Sequence, residues 1–497
     1  MNRRDFIKYG SAGLSLPFWL QSCQFSRANF PIYLQSDHAT GHLIFQSDAW
    51  PVKRKITTGT VIVGGGLAGV TAAYQLRDQD FQLFELSHEL GGTSGATTYN
   101  GIRFSQGAHY DLAYPEEYGS EVLKLLEELN IVRYEPWKKR WGFVDQQHVI
   151  PAYREQRCFT GKGIRKEVIE RGPLKDQFVA LVKSYTGKLN LPTRLIANDL
   201  RYLNDTTFAD LVAQEISNDR AFKHQLDYHM KDDYGGTSDQ VSALAGLAYF
   251  ACRRYYTESV DLFSPPNGND YFVQRISDPI SKDRLKTNHL VKSIQKDGEV
   301  YRLEVLDVRN KEKVEVVAEQ VIYAGQKHAL KYIFPDQYPL FDNNYAPWIV
   351  VNLVTKQVKN EYGFWQNEYL EGDGAFIGFV NSSVQSQAEL KGYQVFTGYY
   401  CLPESDRAYL TSIDENKEKI ANQTREYIEE VLGRSISVEA CHIKVMGHAM
   451  PIPKPGYLFQ DANDDPKAKM IYAGVDNGRL PLLFEALDSG VVAAKLV

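Results

Sequence analysis

The stretch TVIVGGGLAGVTAAY, residues 60–74, joins a short β-branched run to three consecutive glycines and then to a fourth. The first four residues are continuous and β-branched, which is typical of a buried parallel strand. The residues that follow the glycines, from Leu67 to about Leu76, predict a helix. Three of the glycines stand at the fingerprint positions of G-x-G-x-x-G, namely Gly64, Gly66 and Gly69.

Each position of this glycine turn has a physical role in binding a dinucleotide. Gly64 permits the tight turn, and Gly66 lacks a Cβ atom, so that the backbone can approach a pyrophosphate. Gly69 lets the helix pack closely on the strand. Leu67 and Ala68 begin the helix, and amide groups at a helix N-terminus attract phosphate. The alternative interpretation is a generic glycine-rich turn.

An acidic residue follows the next predicted strand, FQLFEL. This residue is Glu85, which lies 21 residues after Gly64. That distance is the one expected for a carboxylate that binds ribose hydroxyls. The spacing therefore favours a dinucleotide site over a generic turn.

The residues after Glu85 distinguish between NAD and FAD, because a simple nicotinamide dehydrogenase needs no second glycine pair there. The chain resembles the flavin-containing amine oxidase superfamily, which includes phytoene desaturases and protoporphyrinogen oxidases. The resemblance implies that a glycine doublet helps to hold the FAD phosphates and that a further turn runs along the flavin. The doublet with its following residue is Gly91, Gly92 and Thr93, and the further turn is Gly107, Ala108 and His109.

Two later stretches carry the same resemblance. Residues 288–325 are similar to the β-meander that returns to the nucleotide domain, and the family implies a backbone contact from Val291 to adenine. The C-terminal stretch KMIYAGVDNGRLPLLFEALDSG is similar to the closing FAD motif. The resemblance places Gly474 and Asp476 at the ribityl chain or pyrophosphate, and a helix beginning near Leu483 at the flavin. No cysteine follows Cys441, so we expect non-covalent FAD.

These features predict an α/β fold with a Rossmann-like, three-layer ββα FAD-binding domain. A second α+β substrate domain is predicted on an antiparallel sheet, which includes strands at 344–355 and 392–401. The predicted FAD-binding domain takes residues 56–115, 257–334 and 441–497, and the substrate domain takes 116–256 and 335–440. Residues 1–22 are predicted as an export signal and 23–55 as a leader.

Composition is consistent with a large folded protein that does not bind nucleic acid. The chain has 497 residues, 43% of them hydrophobic, which is enough for two domains. The net charge of −6 provides no basic field for nucleic acid. None of the five cysteines belongs to a CxxC pair, so we expect no metal site of that type.

The first residues predict export. Arg3 and Arg4 precede a short uncharged run, and together they resemble a bacterial twin-arginine signal. Residues 20–23, LQSC, resemble a lipobox with Cys23 as the acylated residue, and plain signal cleavage nearby is the alternative. We expect a periplasmic protein or a membrane-anchored lipoprotein.

The middle of the chain carries weaker functional signals. Residues 116–130 predict an amphipathic core helix. Segment 232–256 carries Gly235 and Gly236 and then an alanine-rich apolar helix, which we interpret as a wall of the substrate cavity; the alternative is that its aspartates are only helix caps and solvent contacts. The irregular, proline-rich segment 445–459 precedes the C-terminal motif and supplies the weak catalytic candidates. These are His448, Lys454 and Tyr457.

Three functions remain open from the sequence. The first is FAD-dependent hydride removal from a small-molecule amine, such as a polyamine, with oxygen or another redox acceptor. The second is desaturation or isomerisation of an apolar molecule, for which we expect a cavity lined by Phe and Leu without carboxylates. The third is a non-catalytic exported flavoprotein that acts as a binding partner.

Overall fold

The computed structural model describes residues 28–46, 50–109, 112–154, 156–252, 260–335, 343–357, 363–371, 374–385, 391–465 and 467–497. The predicted export signal and Cys23 lie outside these residues, as do residues 253–256 of the predicted cavity-wall helix. No helix in the described part of the chain is long and apolar enough to span a membrane.

Twenty-one strands are described. They are β1 (Ile32–Ser36), β2 (Val52–Val63), β3 (Phe81–Phe84), β4 (Ala96–Tyr99), β5 (Ile102–Ser105), β6 (Val132–Glu135), β7 (Arg140–Phe143), β8 (Val149–Ile150), β9 (Gln156–Thr160), β10 (Gly163–Arg165), β11 (Leu262–Phe263), β12 (Leu285–Lys286), β13 (His289–Asp297), β14 (Val300–Asp307), β15 (Glu312–Tyr323), β16 (Tyr345–Lys356), β17 (Gln366–Tyr369), β18 (Phe376–Asn381), β19 (Tyr393–Cys401), β20 (Val438–Pro451) and β21 (Ile471–Tyr472).

The α-helices of the described residues range from one turn to more than five. They are α1 (His38–Gly41), α2 (Leu67–Gln75), α3 (Ser120–Glu128), α4 (Pro173–Tyr185), α5 (Phe208–Glu215), α6 (Arg220–Tyr234), α7 (Ala243–Ala251), α8 (Asp270–Ser277), α9 (Leu330–Ile333), α10 (Ser382–Gln385), α11 (Ile413–Leu432) and α12 (Leu483–Ala494).

A seven-stranded sheet forms the nucleotide domain, in the order β12-β3-β2-β15-β14-β13 with β21 also paired to β15. Strands β2, β3, β12, β15 and β21 pair in parallel, whereas β13, β14 and β15 form the predicted antiparallel meander. Val63 lies opposite both Phe84 and Tyr323, and Tyr323 lies opposite Tyr472. The carboxyl ends of four parallel strands therefore meet at one edge, where an open α/β sheet binds its ligand.

An eight-stranded sheet forms the second domain, in the order β1-β20-β16-β19-β18-β17-β9-β10. Its pairs are antiparallel except for β1 with β20 and β17 with β9. Strand β16 is buried from Tyr345 to Thr355 because both neighbours and helix α11 cover it. The observed α/β fold with a second, mostly antiparallel sheet is the fold class that the sequence predicts.

Two segments are distributed differently from the predicted domain ranges. Part of the leader forms β1, which extends the larger sheet beside β20. The boundary at 441 falls inside β20, because this strand stays paired with β16 as far as Pro451. The first half of the segment predicted as irregular, 445–459, is therefore strand.

A helical layer completes the second domain and packs through phenylalanine side chains. Helices α4 to α7 cover residues 173–251, and the rings of Phe178 and Phe250 lie 4.7 Å apart, edge to face. The predicted helix over 116–130 is shorter, because a 3-10 turn at Pro115–Glu117 precedes α3. Val122, Leu125 and Leu126 are buried on it, as its apolar spacing predicts.

Candidate functional site

The glycine turn between β2 and α2 occupies the carboxyl edge of the parallel strands. Gly64 has φ +101°, and a Cβ atom there would lie 2.9 Å from the carbonyl group of Ala324. A Cβ atom at Gly69 would lie 1.9 Å from the carbonyl oxygen of Gly64. At Gly66 it would meet nothing within 4 Å. The backbone itself requires the outer two glycines, whereas the middle one faces open space.

The first turn of α2 leaves its amide groups available to a ligand. Gly66 is the N-cap residue, and no side chain caps this helix. Leu67 and Ala68 follow as buried residues. Uncapped amides at a helix N-terminus are well suited to bind an anionic phosphate.

Glu85 lies directly after β3 and turns back towards the glycine turn. One carboxylate oxygen accepts the amide proton of Gly65 at 2.6 Å, and the other accepts that of Ser87 at 2.8 Å. Burial raises the pKa of Glu85, and these two bonds oppose the shift. The structure therefore brings the predicted ribose-binding acid to the predicted pyrophosphate loop.

The glycine doublet joins the same loop through its backbone. The amide of Gly91 donates to the carbonyl oxygen of Gly65 at 2.8 Å. A Cβ atom at Gly92 would lie 3.5 Å from the Cα atom of Gly66. The second glycine pair thus lies against the first, as the resemblance implies.

Thr93 connects the doublet to the third predicted turn. Its carbonyl oxygen accepts the amide proton of Ala108 at 2.9 Å. A Cβ atom at Gly107 would lie 1.8 Å from that oxygen, so only glycine fits there. Residues 91–93 and 107–108 therefore form one continuous wall.

His109 ends this wall as a neutral imidazole. Its Nδ1 donates to the hydroxyl oxygen of Tyr399, which in turn donates to the carbonyl oxygen of Gly107 at 3.0 Å. Burial lowers the pKa of His109 to about 4. A hydrogen bond with the backbone of Pro266 opposes this shift.

The C-terminal motif reaches the same edge from the other end of the chain. Gly474 follows β21, and its amide donates to the hydroxyl of Ser489 on α12 at 2.9 Å. Asp476 is buried and accepts the amide proton of Lys327 at 2.7 Å and the hydroxyl proton of Tyr345 at 2.9 Å. Burial raises the pKa of Asp476 and lowers that of Lys327 to about 8.

Helix α12 packs directly on α2, so the two ends of the chain converge. It begins at Leu483, which is buried. A Cβ atom at Gly490 would lie 2.4 Å from the carbonyl oxygen of Ala68 and 2.7 Å from the Cβ atom of Thr71. Helix α12 and the first turn of α2 are thus fixed relative to each other.

The model of flavin-containing amine oxidoreductases matches residues 67–439, most of the chain. The chain belongs to this family. Flavin adenine dinucleotide is therefore its cofactor, and the open space at Gly66 together with the converging ends fits that molecule. With no cysteine after Cys441, the C-terminal motif offers no thiol for a covalent link, in keeping with non-covalent FAD.

Solved structures show the same fold at low identity. Putrescine oxidase, in a structure with bound putrescine, is 14% identical with a TM-score of 0.62, and the match covers 89% of this chain and 99% of that one. Cyclohexylamine oxidase from Brevibacterium oxydans IH-35A is 13% identical with a TM-score of 0.60, covering 88% and 99%. An oxidoreductase from Methanosarcina mazei is 13% identical with a TM-score of 0.60, covering 88% and 100%. The search of curated proteins finds no match.

Val291 occupies the place in the meander that the resemblance assigns to the adenine contact. It is buried on β13, opposite Val305, and the pairing with β14 shifts register just after it. Such a bulge interrupts the ladder locally. The backbone contact to adenine stays a prediction.

The three catalytic candidates have different side-chain partners in this oxidoreductase. His448 stacks on His328 with ring centroids 3.7 Å apart, and burial lowers the pKa of His448 to about 4. Lys454 donates to the side-chain oxygen of Asn344 at 2.7 Å. Tyr457 is buried, and its hydroxyl donates to the carbonyl oxygen of residue 475 at 2.7 Å. Tyr457 is thus hydrogen-bonded to the C-terminal motif.

A buried charge network behind α12 was not predicted. Glu485 has no exposed surface and accepts the amide proton of Thr193 at 2.6 Å. Its other oxygen lies 3.6 Å from the guanidinium of Arg479, and burial raises the pKa of Glu485 to about 7. Asp488 binds both Arg479 and Arg194 at 2.7 Å. The network ties the start of α12 to the helical layer.

A cavity of about 510 Å³ opens beside the start of α12 in the amine oxidoreductase. The rings of Tyr118 and Phe484 stack in its wall, with centroids 4.9 Å apart. Glu116 is exposed and Glu117 half-buried on the same wall. Other lining residues are Tyr114, Leu189, Leu191, Tyr249, Cys252 and Leu482. The described residues contain no group of three or more His, Cys, Asp and Glu arranged to hold a metal.

Proposed function

We propose that this flavin-containing oxidoreductase oxidises a small amine of the polyamine type. Bound FAD would supply the two-electron acceptor for oxidation of the carbon next to the amine nitrogen. The chain would hold FAD through its glycine turn, Glu85, the doublet wall and the C-terminal motif. Putrescine oxidase, which shares the fold, binds an amine of this class.

The chemistry of the cavity wall is the observation that favours an amine. Glu116 and Glu117 provide negative charge on a wall whose largest other side chains are tyrosine, phenylalanine and leucine. Carboxylates attract an ammonium group, and aromatic faces attract it as well. An apolar substrate of a desaturase would gain nothing from the two carboxylates.

The buried histidines near the site cannot act as the base that deprotonates the substrate amine. His109 and His448 both have a pKa of about 4 because they are buried. Neither can therefore carry a proton away from an ammonium group at neutral pH. We infer that the amine reacts in its neutral form and that kcat/KM rises with pH as the substrate amine deprotonates.

Anaerobic reduction of the flavin tests this proposal. Diamines, monoamines, amino acids and polyenes are added to the yellow protein, and the loss of flavin absorbance is followed. We expect bleaching by diamines first. Bleaching by polyenes but by no amine would assign the protein to the desaturases instead.

A pair of variants tests the cavity carboxylates. Glu116→Gln with Glu117→Gln should raise KM for a diamine about tenfold relative to a monoamine, because the distal ammonium loses its partners. Glu127→Gln with Glu128→Gln on the exposed face of α3 is the matched control. An equal effect on both substrates would contradict the proposed role.

We also propose export of the protein. Arg3 and Arg4 before a short uncharged run support it, and Cys23 supports anchoring by a lipid. Labelling with a radioactive fatty acid distinguishes acylation of Cys23 from plain signal cleavage. Retention of the full chain in the cytoplasm would contradict export.

A further inference from the structure

The hairpin of β6 and β7, residues 132–143, projects from the second domain and pairs with no other strand among those described. Its base is fixed: Val132 is buried, and Phe143 stacks on Phe263 with ring centroids 4.2 Å apart and parallel planes. The turn between the strands is exposed over residues 136–139. The hairpin therefore presents its turn to the surroundings on a rigid base.

The hairpin carries exposed aromatic side chains. Trp137 is 76% exposed, more than any other large hydrophobic side chain of the described residues. Tyr134 is also exposed, and Trp141 packs edge-on against it with centroids 5.7 Å apart. Tryptophan and tyrosine favour the boundary between lipid headgroups and acyl chains, where an apolar ring and a polar group are both accommodated.

The same hairpin is strongly basic in an acidic protein. Its exposed cations are Arg133, Lys138, Lys139 and Arg140. Its single acid, Glu135, lies 3.0 Å from the ammonium of Lys138. The chain as a whole has a net charge of −6. The positive charge is thus local, and it complements an anionic surface.

The size of the turn narrows the choice of partner. A stable protein interface buries about 800 Å² on each side, which is more than one four-residue turn can supply. A membrane contact requires less surface: one tryptophan inserts among the headgroups and the flanking cations bind phosphates. Each cation near an anionic bilayer adds to the attraction.

We propose that this hairpin docks the protein on an anionic phospholipid membrane, with Trp137 among the headgroups and Lys138, Lys139 and Arg140 on the phosphates. Strand β7 packs against the turn Pro115–Glu117, which lines the 510 Å³ cavity. Docking therefore places a wall of that cavity close to the lipid surface. The contact is separate from any acyl chain on Cys23 and from the identity of the substrate.

Co-sedimentation of the FAD-loaded full chain with vesicles tests the proposal. The vesicles contain phosphatidylglycerol mixed with phosphatidylcholine, or phosphatidylcholine alone. We expect binding to the anionic vesicles that weakens with salt. Replacing Lys138, Lys139 and Arg140 together by Glu should lower the partition constant by at least about tenfold. Trp137→Ala should lower it as well.

Matched control variants distinguish a role of the hairpin from a general effect of net charge or of losing an exposed ring. Lys53→Glu, Lys282→Glu and Lys311→Glu make the same change in net charge at exposed sites of the nucleotide domain, and Phe45→Ala removes another exposed ring. FAD content and melting temperature should be unchanged in every variant, because all these side chains are exposed. The proposal is overturned if the two charge-reversed proteins bind alike, or if Trp137→Ala binds as the parent does. Unchanged vesicle binding with an altered oligomeric state would assign the hairpin to a protein interface instead.

Discussion

Replacing Gly490 by alanine tests the close packing that joins the two ends of the chain. The added methyl carbon would lie 2.4 Å from the carbonyl oxygen of Ala68 and 2.7 Å from the Cβ atom of Thr71, whereas ordinary contacts begin near 3.4 Å. The two helices must therefore separate by about 1 Å. Overpacking against backbone costs about 3 kcal/mol, and the better helix propensity of alanine returns roughly 1 kcal/mol. We expect a net loss of about 2 kcal/mol.

The displacement should also weaken FAD binding, because Ala68 belongs to the turn that faces the phosphates. We expect the FAD dissociation constant to rise about tenfold, measured by fluorescence titration of the apoprotein, and the melting temperature to fall by about 2 °C. Gly447→Ala is the matched control, since its nearest neighbour would lie 4.0 Å away. If Gly490→Ala melts and binds FAD like that control, the helices do not pack as described.

Two further variants test buried and interdomain charges. Burial raises the pKa of Glu485 to about 7, so the folded state binds its proton more tightly, and the resulting stability is present at low pH and is lost as pH rises through 7. Glu485→Gln should remove up to about 3 kcal/mol of that pH dependence. The free energy of unfolding, measured with urea from pH 5 to 8, should therefore change less with pH in the variant than in the parent, and an equal change in both would contradict this role of Glu485. Asp37 lies 2.8 Å from the ammonium of Lys444 and accepts the hydroxyl proton of Ser87 at 2.9 Å, so it joins the second domain to the loop after Glu85. Asp37→Asn should lower the free energy of unfolding by about 1 kcal/mol and weaken FAD binding a few-fold, whereas Asp297→Asn in an exposed ion pair should change neither.

The nucleotide-binding parts could be predicted because their constraints are local and lie in the backbone. Within six residues, Gly64 indicates a tight turn, Gly66 the approach of a ligand to the backbone, and Gly69 close packing of the helix on the strand. The spacing to Glu85 follows from the single helix that connects β2 to β3. The strands at 344–355 and 392–401 could be predicted from the alternation of aromatic and β-branched residues, whereas the meander is predicted from the family resemblance. These signals require no knowledge of what lies across the molecule.

The polar partners could not be predicted, because they come from distant positions. Tyr399 meets His109 across 290 residues, and Lys327 meets Asp476 across 149. Tyrosine and lysine are common surface residues, and only the fold brings them to the site. A buried arginine such as Arg479 has a weak signal: it follows the C-terminal glycine motif, with two acids placed three residues apart on the helix beyond it.

The domain ranges illustrate a second difficulty. Residues 445–451 contain glycine and proline, which favour an irregular segment, yet β20 continues through them because β16 offers a partner along its whole length. Long-range pairing here outweighs local propensity. The same holds for β1, whose short run becomes a strand only beside β20.

Binding of FAD to the Gly66→Ala variant tests the central claim most directly, namely that the glycine turn and the C-terminal helix hold one flavin adenine dinucleotide between them. Gly66 has an unstrained backbone, with φ −68° and ψ 177°, and an added Cβ atom would meet no protein atom within 4 Å. The apoprotein should therefore melt within about 1 °C of the parent. FAD affinity should nevertheless fall at least about tenfold, because the methyl group occupies the space where the pyrophosphate approaches the backbone. Parent-like FAD affinity in this variant would contradict the account.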